Sequence, residues 1–427
     1  MKKTFKAISV LLTLIIVFSS GAFVLYSGAQ TVDYNNKYPF VFVHGLNGWG
    51  GEEGINKIVP YWGATTGDLM KYLTRQGYEC YSASVGPISS AWDRACELYA
   101  QLAGTTVDYG EAHSAAHNHR RFGRTYEESL IEGWGSKDTN GQIKKIHLIG
   151  HSFGGTTIRL LTHLLTYGCP EEVKASKGDV SPLFTGGKEN LIESITTIAT
   201  PHNSATCYKL VTEIELYNTF KYFSAFYCAT LGRSLLNGVI VDFHLEQFGI
   251  SNTPGKMDAD LYFKSIINYI KNSDDTCIND LTPLGAKSLN DMIKMSPNVY
   301  YFSYAFDATH EGKLTGMRWP DYDANPVIAP IGIWIAHHYE YTEKDTGQVY
   351  DKTWNANDML SNTESEKYPF DEPHTDYDIS KVPEPGIWNV FPVQKGDHGQ
   401  AVGLLNDRKE TREFYTAHAE LLCSIEK

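Results

Sequence analysis

Cysteine is scarce and unpatterned in this chain. Its 427 residues include seven cysteines, and none of them shows C-x-x-C spacing. The sequence therefore offers no disulfide framework. We expect most of the seven to be small buried residues, with at least one free thiol because the number is odd.

Basic residues are also few. Lysine and arginine number 37 against 50 aspartates and glutamates, which gives a formal net charge of −13. No basic stripe is present that could follow a phosphate backbone, and this argues against nucleic-acid binding. The excess of acidic residues mainly favours solubility.

Long apolar runs are almost absent, and only residues 7–26 are apolar enough to cross a membrane. Three lysines precede this run and Ser27, Gly28 and Ala29 follow it, as in a secretory signal with a small-residue cleavage site. We predict that residues 1–29 are a signal peptide and that the protein is secreted. Because the run is long, an uncleaved N-terminal membrane anchor is the alternative.

Apolar strands alternate with helical patterns along the rest of the chain. Strands are predicted over residues 39–43, 78–85, 146–149, 191–198 and 299–304, and helices over 66–76, 156–166, 286–296 and 409–424. This alternation is typical of an α/β protein whose mostly parallel sheet carries helices on both faces. We predict one domain over residues 30–427, with insertions at about 87–124 and 205–280 and an acidic, proline-rich surface loop at 363–386.

The pentapeptide Gly150-His151-Ser152-Phe153-Gly154 lies between a predicted strand and a predicted helix. In that setting G-x-S-x-G is typical of a nucleophile elbow, a tight turn that raises a serine hydroxyl above the edge of a parallel sheet. The glycines are needed because the strained serine backbone leaves no room for neighbouring Cβ atoms. Ser152 is the predicted nucleophile, and an ordinary strand–turn–helix connection is the alternative.

A serine hydroxyl needs a base to take its proton and a carboxylate to orient that base. In hydrolases with such an elbow the chain order is serine, acid, histidine, and the histidine comes just before the last helix. His398 occupies that place and is preferred over His374 in the acidic loop. Position favours Asp358 as the acid but leaves open three competitors: Asp345, Asp351 and Asp371.

The developing oxyanion needs two backbone N–H donors. One belongs to the residue after the nucleophile, Phe153. The other should come from the loop after the first core strand, where His44-Gly45-Leu46 points to the N–H of Leu46.

Histidines crowd one short part of the first insertion, where His113, His117 and His119 follow Asp93. Two histidines with carboxylates can form a closed tetrahedral zinc site. The spacing matches neither a common zinc finger nor H-E-x-x-H, so the pattern alone leaves solvated loop histidines as the alternative.

Several long strings resemble the secreted lipases of staphylococci and of thermophilic Geobacillus-type bacilli, over residues 38–422. They are Val43-His44-Gly45-Leu46-Asn47-Gly48-Trp49-Gly50, Val85-Gly86-Pro87, Trp92-Asp93-Arg94-Ala95-Cys96-Glu97, Gly104-Thr105-Thr106-Val107-Asp108-Tyr109-Gly110, Arg121-Phe122-Gly123-Arg124-Thr125-Tyr126, Gly150-His151-Ser152 and Thr196-Thr197-Ile198-Ala199-Thr200-Pro201-His202. The resemblance implies an α/β-hydrolase fold with a zinc-bearing insertion and a helical lid.

Matched residue by residue, the resemblance implies that Ser152 is the nucleophile, Asp358 the acid and His398 the base. It also implies a structural zinc ion with four ligands: Asp93, His113, His119 and Asp275. His117 lies between two of these matches but is not one itself.

Two positions depart from the family pattern. Met359 follows Asp358, where family members usually have glycine. The family's calcium site uses carboxylates soon after the catalytic histidine, and the matching places here are Asp323, Gln400, Asn406 and Asp407. One expected carboxylate is thus an amide, which leaves a calcium site open.

Residues 208–240 are apolar at too many helical phases for an ordinary surface helix with one buried stripe. One interpretation is a lid that covers Ser152 in water and opens at a lipid surface. The other is a core helix wedged between its neighbours.

We therefore expect a secreted carboxylic-ester hydrolase, most specifically a triacylglycerol lipase, that forms an acyl-serine intermediate and contacts a lipid surface transiently. Other serine esterases, acyltransferases and polyester depolymerases would share the triad and are alternatives. A non-catalytic surface binding module is a further alternative, against which the ordered Ser, Asp and His residues argue. The sequence does not specify an oligomeric state.

Overall fold

The computed structural model describes residues 34–209, 242–251, 259–314, 316–337 and 341–426. The predicted signal peptide and nearly all of the predicted lid lie outside these residues. Within them, no helix combines the length and the apolar character that a membrane span requires.

Seven strands form the central sheet. In spatial order they are β13 (His374–Asp376), β14 (Trp388–Val390), β7 (Tyr300–Tyr304), β6 (Ile192–Ile198), β5 (Ile146–His151), β1 (Phe40–Val43) and β2 (Cys80–Ala83). Every neighbouring pair is parallel. Parallel strands cannot be joined by tight hairpins, so each connection crosses a face of the sheet, and most of the helices lie in these crossovers.

Four two-stranded sheets are separate from the central sheet. They are β3 (Thr106–Asp108) with β4 (Phe122–Thr125), β8 (Phe306–Asp307) with β15 (Gln394–Lys395), β9 (Thr309–Glu311) with β10 (Arg318–Pro320), and β11 (Tyr341–Thr342) with β12 (Val349–Tyr350). The β8–β15 pair is parallel, and its two strands follow β7 and β14 closely in the chain.

The helices fall into a few long elements and several short ones. They are α1 (Leu69–Arg75), α2 (Ala91–Ala103), α3 (Glu111–Ala116), α4 (Phe153–Tyr167), α5 (Pro170–Ala175), α6 (Ala259–Asn272), α7 (Cys277–Asp280), α8 (Pro283–Met292), α9 (Ala329–His337), α10 (Thr363–Lys367) and α11 (Arg408–Ile425). Short 3-10 turns span Gly54–Lys57, Pro182–Thr185, Glu189–Leu191, Glu246–Phe248, Lys352–Asn355 and Gln400–Val402.

Strand β1 shows how the two faces of the sheet are covered. Val41 and Val43 belong to a core cluster that includes buried residues of α2 and α4. Phe40 and Phe42 point to the other face, into a cluster with residues of α1 and α11. Because successive side chains alternate between faces, β1 is buried on both sides and is apolar throughout. The predicted parallel sheet with helices on both faces is confirmed.

The acidic segment predicted as a surface loop at 363–386 is not a loop throughout. It begins with α10 and contains β13, whose three residues pair in parallel with β14 at the edge of the sheet. All three β13 side chains are exposed, so the strand carries no apolar pattern that sequence analysis could detect. Helix α2 lies inside the predicted first insertion and was not predicted from the sequence. It buries charged as well as apolar residues, so a pattern of apolar residues alone does not reveal it.

Replacing Phe42 with alanine should lower the free energy of unfolding by about 3–5 kcal/mol, the usual cost of a buried phenylalanine. Phe42 is 1% exposed and packs edge-on against Trp62 and near Tyr415. In denaturant unfolding, the control Phe122→Ala, at a ring that is 47% exposed, should change stability by less than about 0.5 kcal/mol. A loss below about 1 kcal/mol for Phe42→Ala would contradict this description of the core.

Candidate active site

Ser152 lies at the sharp turn between β5 and α4. Its backbone has φ 55° and ψ −130°, a conformation that residues with a Cβ rarely adopt. A Cβ on Gly150 would lie 2.5 Å from the backbone of Gly154, and one on Gly154 would lie 2.2 Å from the carbonyl oxygen of Val43. The turn therefore requires glycine on both sides of the serine. It has the geometry of a nucleophile elbow.

The loop after β1 passes directly beside this serine. A Cβ on Gly45 would lie 2.6 Å from the Cβ of Ser152 and 3.1 Å from its Oγ. Only glycine allows this approach. Among the residues that the structure describes, the N–H groups of Leu46 and Phe153 have no recorded backbone acceptor. Two free N–H groups on segments that meet at Ser152 are the arrangement that an oxyanion requires.

Two buried side chains hold that loop. His44 lies with Nδ1 2.9 Å from the Gly45 carbonyl oxygen, and the N–H of Val85 approaches its Nε2 at 3.4 Å. Arg94 donates to the carbonyl oxygens of His44 and Gly86 and to the hydroxyl of Thr157 on α4. Burial lowers the pKa of His44 to about 3, so the imidazole is neutral at physiological pH and its hydrogen bonds do not titrate there.

Asp358 and His398 form a buried pair. The Oδ2 atom of Asp358 lies 2.5 Å from Nδ1 of His398, and the N–H of His398 donates to the Asp358 carbonyl at 2.8 Å. The other carboxylate oxygen accepts from the N–H groups of Leu360 and Ser361. With Nδ1 engaged by the carboxylate, Nε2 is the ring nitrogen left to exchange a proton with a substrate or a nucleophile.

A chain of hydrogen bonds joins the three segments of the site. The Gly45 N–H donates to the hydroxyl of Tyr61 at 3.0 Å, and that hydroxyl lies 2.7 Å from Nδ1 of His151. Nε2 of His151 lies 3.0 Å from the carbonyl oxygen of His398. Burial, and then the neighbouring His398, lowers the pKa of His151 well below its usual range. A neutral His151 therefore accepts from Tyr61 and donates to the His398 backbone, which ties the histidine loop to the elbow.

The residue after Asp358 sits in a conformation that favours glycine. Met359 has φ 79° and is fully buried. Its N–H donates to the side chain of Asn357 at 3.0 Å, and its sulfur packs where a Cβ on Gly332 would stand. The departure from the family's glycine is thus accommodated by local packing, at the usual cost of a left-handed residue with a Cβ.

The competing candidates lie elsewhere. Asp351 caps the N-terminus of a 3-10 turn, and Asp345 and Asp371 are exposed. His374 is exposed on β13 at the far edge of the sheet. In the described part of the chain, none of the three aspartates hydrogen-bonds to His398, and His374 contacts the Glu372 carbonyl and the Tyr368 ring instead.

Four predicted metal ligands converge on one place: Asp93 on α2, His113 and His119 in and after α3, and Asp275 before α7. Nε2 of His113 lies 3.3 Å from carboxylate oxygens of both Asp93 and Asp275, and Nε2 of His119 lies 3.4 Å from the latter. All four converging atoms are buried and lack a hydrogen-bond partner. A tetrahedron with metal–ligand distances of about 2.0 Å has edges of about 3.3 Å, so the donor set fits a zinc ion.

The outer contacts of this cluster orient its ligands. Gln247 donates to the second oxygen of Asp93 at 2.7 Å. Nδ1 of His119 lies 2.9 Å from the Arg120 carbonyl oxygen, so this nitrogen carries the proton and Nε2 keeps its lone pair. His117 does not converge, since its ring contacts Asp274 at the surface at 3.0 Å.

The residues expected at a calcium site lie together, but their donors do not fit a cation. The N–H of Asp397 donates to Oε1 of Gln400 at 2.7 Å, which fixes the amide, and the Gln400 NH₂ group donates to the Asp323 carbonyl at 3.2 Å. Asn406 donates to the Gln400 carbonyl at 3.1 Å, and Asp407 caps α11. Because Ca²⁺ requires oxygen ligands directed at it, an amide NH₂ group here takes a place that the ion would need.

Three polar residues of the site were not predicted: Arg94 and Glu366, which are buried, and Tyr61, which is partly buried. Glu366 on α10 places a carboxylate atom within 4.8 Å of ligand atoms of Asp358 and His398, a grouping that could also hold a metal ion by composition. Each of the three resembles an ordinary surface residue in the sequence. Their burial depends on partners from distant segments, which local pattern does not reveal.

Comparison with known proteins shows which family this chain resembles. The family described as lipase-like, C-terminal domain, matches residues 36–427. The chain is 36% identical to the lipase of Staphylococcus hyicus over 407 residues, which are 92% of this chain and 58% of that protein. It is 33% identical to lipase 1 of Staphylococcus aureus (strain MRSA252), over 93% of this chain and 56% of that protein. The chain thus spans little more than half the length of these curated relatives.

Solved structures agree with the sequence comparison. The crystal structure of Staphylococcus hyicus lipase matches with a TM-score of 0.78 at 34% identity, covering 94% of this chain and 99% of that chain. Lipase 1 from Pelosinus fermentans matches with a TM-score of 0.76 at 37% identity, covering 91% and 99%. The predicted α/β-hydrolase fold and the resemblance to staphylococcal lipases are confirmed. The chain belongs to the family of lipase-like C-terminal domains.

Proposed function

We propose that this protein is a secreted carboxylic-ester hydrolase, specifically a triacylglycerol lipase. The observation that carries the proposal is the meeting of three segments at Ser152: the elbow itself, the Gly45 loop with its free N–H, and the His398 loop tied to the elbow through His151. Relatives named lipase support the substrate class. The lysines and small residues around the apolar run at 7–26 support export.

In the first half of the reaction, Ser152 forms an ester with the substrate's acyl group. Oγ attacks the ester carbonyl while Nε2 of His398 takes the serine proton. The N–H groups of Leu46 and Phe153 stabilise the charge that develops on the carbonyl oxygen. His398 then gives its proton to the departing alkoxide, and the alcohol leaves.

In the second half, water takes the place of the alcohol. His398 removes a proton from water, which attacks the acyl-serine, and the proton returns to Oγ as the fatty acid leaves. Asp358 stabilises the imidazolium in both halves and keeps the ring oriented.

A hydrolysis profile over emulsified triglycerides of increasing chain length tests the substrate class. Activity confined to short soluble esters would show that the protein is an esterase and not a lipase.

A structural zinc ion belongs to this proposal. Asp93, His113, His119 and Asp275 would hold it, and four protein ligands leave no open position for an activated water. The ion would connect α2 and α3 to the loop before α7, segments far apart in sequence. Binding free energy at such a site adds to folding stability.

Ser152→Ala should lower kcat for ester hydrolysis by about 10⁶-fold and leave unfolding unchanged, because it removes one half-buried hydroxyl and no core volume. Asp358→Asn should cost less, about 10⁴-fold, since asparagine keeps the position but favours the wrong histidine tautomer. The matched controls Ser380→Ala, Asp351→Asn and Asp371→Asn should stay within about twofold of the unsubstituted enzyme. A near-normal rate for Ser152→Ala, or a large loss of activity in one of the control variants, would refute the assignment of Ser152 and Asp358 to the triad.

Elemental analysis should find about one zinc per chain, lost in His113→Ala. We expect that variant to melt at least about 5 °C lower, because the binding free energy of the ion is lost from folding. His117→Ala is the matched control, since its ring lies beside the cluster but does not converge on it. Zinc-free active protein, or equal melting temperatures for the two variants, would contradict the zinc assignment.

Calcium should not stabilise this protein, because the Gln400 amide donates where an ion would bind. Millimolar calcium and EGTA should therefore give melting temperatures within about 1 °C of each other. Gln400→Glu removes the donor and adds a carboxylate, so this variant should become more stable with calcium than with EGTA. Calcium-dependent melting of the unsubstituted protein would show that the ion displaces the amide.

A further inference from the structure

Behind the Asp358–His398 pair lies a second carboxyl group that the triad does not account for. Glu366, on the short helix α10, is completely buried. Its Oε2 atom accepts a hydrogen bond from the N–H of Phe306 at 2.7 Å. Its Oε1 atom is also buried but has no hydrogen-bond partner. A buried polar atom without a partner is costly. A carboxylate oxygen of Glu366 lies within 4.8 Å of one of Asp358.

No positive charge in the described structure pairs with Glu366. Two of its neighbours are themselves acidic, and both Asp358 and Asp307 oppose its ionisation. Asp307 is paired with Arg318, and Asp358 is bonded to His398. Two carboxylates within 4.8 Å of each other in a buried site strongly disfavour each other's ionisation, so we infer that one of them holds a proton.

The hydrogen bonds decide which carboxyl carries the proton. Asp358 accepts from two backbone N–H groups at one oxygen and from His398 at the other, so both of its oxygens already act as acceptors. Glu366 accepts only one, at Oε2, which leaves Oε1 as the place for a hydroxyl. Burial, and next the charge of Asp358, raises the pKa of Glu366 well above its usual range.

We propose that Glu366 is a neutral carboxylic acid whose Oε1 hydroxyl donates a hydrogen bond to Asp358, making it a positioning residue for the catalytic acid. The proposal rests on the function proposed above, since it assigns Asp358 its role in the reaction. The extra donor fixes the carboxylate that orients His398. It also draws part of the negative charge of Asp358 away from the imidazole.

Two substitutions separate this role from simple filling of space. Glu366→Gln keeps both contacts, because its carbonyl can accept from Phe306 and its NH₂ group can donate to Asp358. Glu366→Leu has a similar volume but removes the donor and leaves the Phe306 N–H without an acceptor. Glu364 on the same helix, partly exposed and paired with Lys367, gives the matched controls Glu364→Gln and Glu364→Leu.

We expect Glu366→Gln to retain kcat within about threefold, while Glu366→Leu lowers kcat by about 10- to 100-fold at nearly constant KM, the range for one hydrogen bond to a charged group. In Glu366→Leu the acid limb of kcat/KM should also move to higher pH by about half a pH unit or more, because Asp358 keeps its full charge and stabilises imidazolium more strongly. The Glu364 variants should change neither quantity.

Infrared spectroscopy tests the protonation state without any reaction. At neutral pH the difference spectrum between the unsubstituted protein and Glu366→Gln should contain the C=O stretch of a protonated carboxylic acid. This band should appear whether or not the protein hydrolyses esters, so a failure of the proposed function and a failure of this inference are distinguishable. If Glu366→Leu does not fold, the band and the Glu366→Gln kinetics still decide.

Several results would overturn the proposal. An ionised Glu366 would give a carboxylate band instead of the acid band. If Glu366→Gln were as impaired as Glu366→Leu, the site would need a second oxygen or a negative charge at position 366, as a metal site would. If a folded Glu366→Leu variant kept its kcat and the acid limb of its kcat/KM profile did not move, Glu366 would have only a packing role.

Discussion

The positive-φ backbone at Ser152 is the constraint on which the rest of this structure depends. Such a sparsely populated backbone conformation costs about 1–3 kcal/mol, and it persists only where the surroundings over-determine it. Here they do so through close backbone contacts: Gly150 against the start of α4, Gly154 against the carbonyl of Val43, and Gly45 against the serine itself. The parallel sheet supplies the rigid edge from which all of these segments leave. The strain therefore fixes the serine hydroxyl beside the loop that carries the free N–H of Leu46.

Buried polar side chains hold the surrounding loops in register with the elbow. Arg94 joins the loop after β1 to α4, and Tyr61 with His151 joins that same loop to the backbone of His398. In a low-dielectric interior such hydrogen bonds are strong when complete, and an unpaired member is costly. Burial keeps His44 and His151 neutral, so the donors and acceptors of this network stay the same across the physiological pH range.

Sequence analysis recovered the parts of the molecule that have local patterns. Strand β1 is an apolar run, and the buried strands β5, β6 and β7 are rich in apolar, β-branched or aromatic residues. The elbow around Ser152 is a contiguous string, so these strands and the turn could be predicted. Features that depend on partners far away in the sequence could not be predicted. The exposed edge strand β13 has no apolar residues, the donor direction of Gln400 follows from the N–H of Asp397, and the buried Glu366 matters only because α10 packs it against Asp358. The four proposed zinc ligands are an intermediate case, since their residue types suggested metal chemistry but only the resemblance selected Asp275.

The most direct test of this account is to label the native protein with a fluorophosphonate and to locate the adduct by mass spectrometry. An activated serine beside two N–H donors should react once per chain, on the peptide that contains Ser152, and the reaction should be lost when the protein is unfolded. Labelling of a different serine, or no labelling of the native protein, would contradict the claim that the strained turn at Ser152 creates the nucleophile.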